Sequence, residues 1–250
     1  MTTPKLAETV RGKGRLYREP WTGLLVPSVT NVIDMMSKPA LPRWAAKSVA
    51  EYAWQNRARL GSADSEQREF ALKELKGAPW AYAGQRADVG SVVHDIADAL
   101  ATDSDLPMFG VEEAAYADQF LDWVSSMDVE FIASEVTVFG RGYAGTFDWF
   151  ADIGGRKILG DHKTGKAVYD EVALQLAALR YAQYWMIDGK ESLAETGDGC
   201  AVLHLRADGW TLHEVDAGED AYRAFRGLLD AWHWKHRDDD TLTMWKEGAA

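Results

Sequence analysis

Two strand-like runs, 145–153 and 157–163, flank the turn Gly154-Gly155, and they constrain the fold more than any other stretch. Aromatic and branched residues fill both runs, and a glycine pair between them is a hairpin signal. The first contains Gly145-Thr146-Phe147-Asp148 and the second Asp161-His162-Lys163-Thr164-Gly165. Folded as a pair, they bring Asp148 and Asp161 to one end. A side-chain period of two puts Asp161 and Lys163 on one face and turns His162 away. Two carboxylates and an ammonium there suit a divalent metal, with the lysine positioning or deprotonating a water beside it.

An acidic-x-Lys tripeptide alone is weak, because 26% of the residues are charged. Two decoys occur, Glu74-Leu75-Lys76 and Asp188-Gly189-Lys190. The first lies in a polar, helix-favouring stretch, 65–76. The second has its lysine just past a glycine, as at a helix C-terminus. Neither has a strand-borne aspartate shortly upstream.

The rest of the chain reads as α/β. Ser28 or Thr30 caps a short helix through Met36, stopped by Pro39. Helices follow at 42–60 (Trp44, Val49, Tyr52 and Ala53 among its buried candidates), 86–101, 111–127 and 171–187. A last amphipathic helix spans 219–236, with Tyr222, Phe225, Leu229 and Trp232 along one stripe. Further strands fall at 131–139, 200–206 and 210–216. One domain covers the chain: a basic arm at 1–20, a mainly helical part at 21–127, a sheet core at 128–237 and a tail at 238–250.

Composition sets limits. No run of apolar residues is long enough for a transmembrane helix, and the first residues lack the apolar segment of a signal peptide, which places the chain in a cytoplasm. The single cysteine, Cys200, excludes an internal disulfide and a four-cysteine iron–sulfur cluster within the chain. Net charge is −12, from 27 basic and 39 acidic residues. Residues 1–60 nevertheless carry ten Lys/Arg against four Asp/Glu, a local +6, while the remainder carries −18. Lys5, Arg11, Lys13, Arg15 and Arg18 either track phosphates or form a solvated arm. The eleven tryptophans are mostly core material, though Trp149 or Trp210 has the chemistry to stack bases.

Three further residues stand out. His94 falls opposite the apolar stripe of helix 86–101 with Gly90 and Asp98, so it faces either solvent or a cleft. Glu135 sits in a strand, where glutamate is depleted, as an edge residue or a ligand. Gln175 lies on the helix after the Asp-x-Lys strand. Lys166 and Arg180 are candidate phosphate contacts or plain surface charges.

Taken in order, Gly90-x-x-x-His94, Glu135, Gly145-Thr-Phe-Asp148, Asp161-His-Lys163-Thr-Gly165 and Gln175-Leu176 resemble the RecB-like branch of the PD-(D/E)XK nucleases. They are most similar to phage-encoded exonucleases grouped with the CRISPR adaptation nucleases. Pro27-Ser-Val-Thr-Asn-Val-Ile, Lys38-Pro-Ala-Leu and Trp44-Ala-Ala look like the same group. The motifs span about 27 to 185, and the chain lacks the iron–sulfur cysteines that several relatives carry.

The resemblance implies a restriction-endonuclease-like core, a central mixed sheet flanked by helices with an N-terminal helical region. It implies a deoxyribonuclease in which His94, Asp148 and Asp161 hold one or two Mg²⁺ or Mn²⁺, with Glu135 in support and the His162 carbonyl a further ligand. Asp98 occupies the place where relatives often carry a glutamate. Lys163 orients the attacking water, its pKa lowered towards that of a base. Gln175 contacts the DNA strand near the scissile phosphate. The family's Gln-x-x-x-Tyr is broken here, since Leu179 takes the tyrosine's place and Tyr181 comes two residues late. The leading expectation is an exonuclease acting from DNA ends, in phage recombination or DNA turnover, with a recombination partner or homo-oligomer in the host cytoplasm. A structure-specific or nonspecific endonuclease, and an inactive DNA-end or partner-binding protein, are the alternatives.

Overall fold

The Gly154-Gly155 turn joins two antiparallel strands, β5 (Tyr143–Ile153) and β6 (Arg156–Lys163), in the register Trp149↔Gly160 and Ile153↔Arg156. Both glycines have positive φ, 62° and 82°, which residues with a side chain rarely adopt. Around this hairpin, in a computed structural model describing residues 6–61 and 67–237 without the side chains of 82–88, a seven-stranded sheet is built. Its other strands are β4 (Val129–Gly140), β7 (Tyr184–Ile187), β8 (Lys190–Leu193), β9 (Gly199–Arg206) and β10 (Gly209–Val215). The order is β10-β9-β6-β5-β4-β7-β8. Every neighbouring pair is antiparallel except β6 and β9, so the sheet is mixed.

Helices cover both faces, as an α/β class requires. One face packs against α4 (Arg68–Ala101) and α5 (Val111–Met127) through Val93, Ala97, Phe120 and Trp123. The other packs against α1 (Val29–Ile33), α6 (Val172–Arg180) and α7 (Glu219–Lys235) through Val32, Leu176, Phe225 and Leu229. Ser28 caps α1, its hydroxyl accepting from the Asn31 amide. On α7 the expected stripe holds: Phe225, Leu229 and Trp232 are buried and Tyr222 packs beside them.

Several expectations need correction. Within 1–20, read as an arm, β1 (Ala7–Val10) and β2 (Gly14–Arg18) pair antiparallel and, with β3 (Leu25–Pro27), make a three-stranded sheet. Leu16 and Tyr17 are buried there, so apolar burial orders a segment whose charge suggested solvation. Lys5 and the tail 238–250 lie outside the described residues. The stretch 42–60 is α2 (Ala40–Gln55) and α3 (Arg57–Gly61), and no residue of α2 is fully buried. Residues 68–76 and 86–101 belong to one helix, α4, which continues through Pro79, while Ser65 and Glu66 lie outside the described residues. The helix expected over 171–187 ends at Arg180. Tyr184-Trp185-Met186-Ile187 instead adds β7 beside β4, because a sheet edge was there to pair with.

Candidate active site

β5 and β6 deliver two carboxylates to one spot. One step beyond the Trp149↔Gly160 pair, Asp148 stands across from Asp161, and both are buried. Glu135 lies between Ser134, opposite Trp149, and Val136, opposite Phe147, and so stands across from Asp148 on the other side. The strands are irregular here. Glu135 has φ 49°. Ala133 and Val136, three apart, pack into one core, as do Phe147 and Phe150, which regular alternation forbids. This slip places Glu135 and Asp148 where neither strand follows its pleat.

Asp148 is the hub. Its Oδ2 accepts the backbone N–H of His162 at 2.6 Å and lies 3.3 Å from His94 Nδ1 and 3.8 Å from His162 Nδ1. Burial works to raise its pKa, but His94, His162 and Lys163 overcome this and hold Asp148 well below the usual carboxylate range. Burial would likewise lower His94, whose side chain is 31% exposed, yet Asp148 lifts it to about 9. α4 reaches this point because Gly90 carries no side chain: a Cβ there would stand 3.1 Å from Thr164 Oγ1. Thr164 occupies the space beside Gly90.

Asp161 and Lys163 share a face as the strand period requires. Lys163 Nζ is 2.5 Å from Asp161 Oδ2, while Gln175 of α6 donates to Asp161 Oδ1 at 2.6 Å and accepts from Lys163 at 3.3 Å. Burial, then the nearby Asp148 charge, raises Asp161. Burial would lower Lys163, but Asp161 and Asp148 outweigh it and its pKa is raised. The expected lowered lysine is therefore absent from this arrangement: beside a carboxylate, Lys163 is a fixed positive charge rather than a ready base. Glu135 keeps some solvent access, but desolvation by the surrounding groups and then the Asp148 charge push its carboxyl up to about 8.

Such carboxyls, held above their usual range in a cluster with two imidazoles, suit a divalent cation, which would favour their ionised forms. One ligand atom each from His94, Asp148 and His162 lies within 4.8 Å of the others. The His162 ring is what sequence reasoning missed, since only its carbonyl was considered. It does point away from the Asp161 face, into Phe120, Trp149 and His94. Burial holds it near a pKa of about 3, so it is neutral, the form that binds a metal. The apolar-looking run before it held no signal of this contact. Also missed was His204 of β9, whose Nε2 meets the Gly165 carbonyl at 2.7 Å and ties down the segment after β6.

The remaining candidates divide. Lys166 is exposed near the end of β6. Arg180 donates to the Thr196 and Gly197 carbonyls at 3.0 and 3.3 Å, and Gly197 adjoins Lys157 near the opposite end of β6. Tyr181 stacks on Tyr222 at 5.0 Å between α6 and α7. The structure thus brings His94, Glu135, Asp148, Asp161, Lys163 and Gln175 together and leaves Arg180 and Tyr181 in structural contacts elsewhere. Trp149 is fully buried and cannot stack a base; Trp210 donates its indole N–H to Asp122 at 2.7 Å. Among the basic residues of β1 and β2, Arg18 pairs with Glu8 at 2.8 Å.

No family model matches this chain, and no curated protein matches it. Among solved structures, that of SSO0001 is similar over 80% of this chain and 88% of its own, with 10% identity and a TM-score of 0.34. That likeness is too slight to carry any conclusion. Among the described residues, no helix is long and apolar enough to cross a membrane.

Proposed function

We propose that this chain is a divalent-metal-dependent deoxyribonuclease of the PD-(D/E)XK kind, acting from DNA ends. One observation carries the reading: Asp148 and Asp161 meet on adjacent strands, with Lys163 against one carboxylate and His94 against the other. Asp148, Asp161 and His94 would hold Mg²⁺ or Mn²⁺, with Glu135 in support and the neutral His162 ring within reach. A bound cation would supply the positive charge that phosphodiester hydrolysis needs and would acidify a water.

The chain's own groups divide the rest of the work. Lys163, held charged, orients the attacking water and offsets charge developing on the phosphoryl oxygens. Gln175 fixes both Asp161 and Lys163, so neither side chain is free to swing away. His94 and the His162 amide orient Asp148 in the same way. Preference for ends, and a setting in phage recombination or DNA turnover, rest on the resemblance of the motifs.

Digestion of end-labelled linear single-stranded, linear duplex and circular DNA, with Mg²⁺ and Mn²⁺ in parallel, tests the reading. Metal-dependent loss of linear strands alone, absent in Lys163→Ala, is the expected result. Cutting of circles would make it an endonuclease. Retention of DNA without cleavage would make it a binding protein.

A further inference from the structure

Lys163 is the last residue of β6, and the parallel pairing with β9 stops there, at Lys163↔His204. Register partners share a face of a sheet, so His204 stands on the side that carries Lys163 and Asp161. Past Lys163 the chain leaves the ladder, yet two contacts fix it. Thr164 lies against α4, its Oγ1 3.1 Å from where a Cβ on Gly90 would stand. The Gly165 carbonyl meets His204 Nε2 at 2.7 Å. Gly90 is one turn before His94, so this short segment joins the root of Lys163 to the helix that carries His94.

His204 is buried, and each of its ring nitrogens faces a partner with only one possible role. A carbonyl only accepts, so Nε2 must carry a proton. A guanidinium only donates, and Arg206 Nη1 lies 3.3 Å from Nδ1, so Nδ1 must be bare. One tautomer meets both demands. Arg206 is held in turn, its Nη2 donating to Thr211 Oγ1 at 3.3 Å and its Nε lying 3.8 Å from the exposed Asp208 carboxylate. A line of contacts thus runs from β10 through Arg206 and the imidazole to the residue two past Lys163. Its members come from β9 and β10, and none of them belongs to the carboxylate cluster.

We propose that His204 is a positioning residue for Lys163: fixed by Arg206 as the Nε2–H tautomer, its ring holds the Gly165 carbonyl and so sets the direction in which Lys163 leaves β6. The reaction it serves rests on the nuclease reading. Gln175 holds the tip of the lysine side chain, and His204 holds its root. Because Thr164 packs on α4, the same clamp also sets how closely β6 and the His94 helix approach.

Steady-state cleavage of linear DNA with Mn²⁺ compares the wild type with His204→Asn, His204→Gln and Arg206→Met. An asparagine amide can meet Arg206 but falls short of Gly165, whereas a glutamine amide reaches the carbonyl. In parallel, acylation of Lys163 in the metal-free proteins is followed by mass spectrometry, with the exposed Lys190 as reference. His204→Asn lowers kcat about tenfold to a hundredfold, the scale of a reacting group misplaced by about 1 Å. It leaves KM and the Mn²⁺-induced rise in Tm as in the wild type, and Lys163, loosened from Asp161, acylates several times faster. His204→Gln recovers most of both. Arg206→Met, which takes away the donor to Nδ1, moves both in the same direction by less. Wild-type kcat and Lys163 labelling in His204→Asn overturn the proposal, and so does an equal loss in His204→Gln, which would make the ring a packing group. If His204→Asn melts early, wild-type kcat and labelling in Arg206→Met overturn it instead. A wild type that cuts no DNA, while Lys163 labelling still rises in His204→Asn, sinks the nuclease reading alone; cleavage indifferent to all three variants sinks the positioning role alone.

Discussion

Replacing Gly160 by alanine tests the packing on which the site stands. Gly160 pairs with Trp149 across β5 and β6, and a Cβ built on it would lie 1.9 Å from the indole Cζ2. Ordinary contact begins near 3.4 Å, so the ring would have to recede by about 1.5 Å. It has nowhere to go: Trp149 is fully buried, with Trp123 at 5.2 Å and His162 at 6.3 Å. Overpacking of a close-packed core costs about 1–3 kcal/mol, and so rigid a neighbour puts this case at about 3. For a domain of this size that is a fall in Tm of roughly 6–12 °C. The assay is thermal unfolding followed by tryptophan fluorescence and circular dichroism. Because Trp149 adjoins both Asp148 and His162, cleavage below the transition should fall as well. Adding Trp149→Phe should cost less in the Gly160→Ala background than in the wild type. A Tm within about 2 °C of wild type would refute the close approach of Trp149 over Gly160 and the rigidity claimed for it.

Four shorter predictions follow from the same geometry. Mn²⁺ at a hundredfold its Kd should stabilise the protein by about 2.7 kcal/mol, roughly 5–11 °C in Tm; Asp148→Asn should abolish that shift, and an undiminished shift would remove Asp148 from the ligands. Lys163→Met should keep the Mn²⁺ shift yet lose cleavage by at least about a hundredfold, whereas residual activity near wild type would deny it the water-orienting role. His162→Phe, which preserves a ring among Phe120 and Trp149, should shrink the Mn²⁺ shift; the same shift as wild type would leave the imidazole a packing group only. Cys200 is buried and its thiol is pushed up to about 12, so at pH 8 it should resist alkylation until the protein unfolds. Rapid native-state labelling would contradict its place in the core.

The centre of the sheet was legible because its signals are local. Gly154-Gly155, the flanking alternation and the Asp-x-Lys spacing fix the β5–β6 hairpin without reference to the rest of the chain, and the boundaries of β5 and β6 fall within two residues of those expected. Arg86 to Ala101 and Val111 to Met127 were readable as helices from their stripes. What failed depended on distant partners. Ala7–Val10 and Gly14–Arg18 are short and charged, and nothing in them announces the burial of Leu16 and Tyr17 under β3 and β5. Tyr184–Ile187 could continue a helix or form a strand, and the free edge of β4 decides it. Trp149 was open to a binding role until Gly160 placed its ring beneath the sheet. In the site, the pairing of acids was visible, but not that Asp161 would hold Lys163 charged, nor that the His162 ring would close on Asp148. Both are consequences of distances under 4 Å that no spacing encodes.

The order in which the chain acquires these parts has a kinetic meaning. The two aspartates share a hairpin, so they can come together early and cheaply, across a short loop. Beyond the His162 amide and Lys163, what disciplines them lies outside the hairpin: His94 precedes Asp148 by 54 residues, Gln175 sits on a helix past the hairpin, and β9, which flanks β6 in parallel, ends only at Arg206. Parallel pairing and long closures are the slow events of folding. A nascent chain emerging from the ribosome therefore carries its acidic pair long before that pair is aimed, and the finished centre marks the completion of the whole sheet.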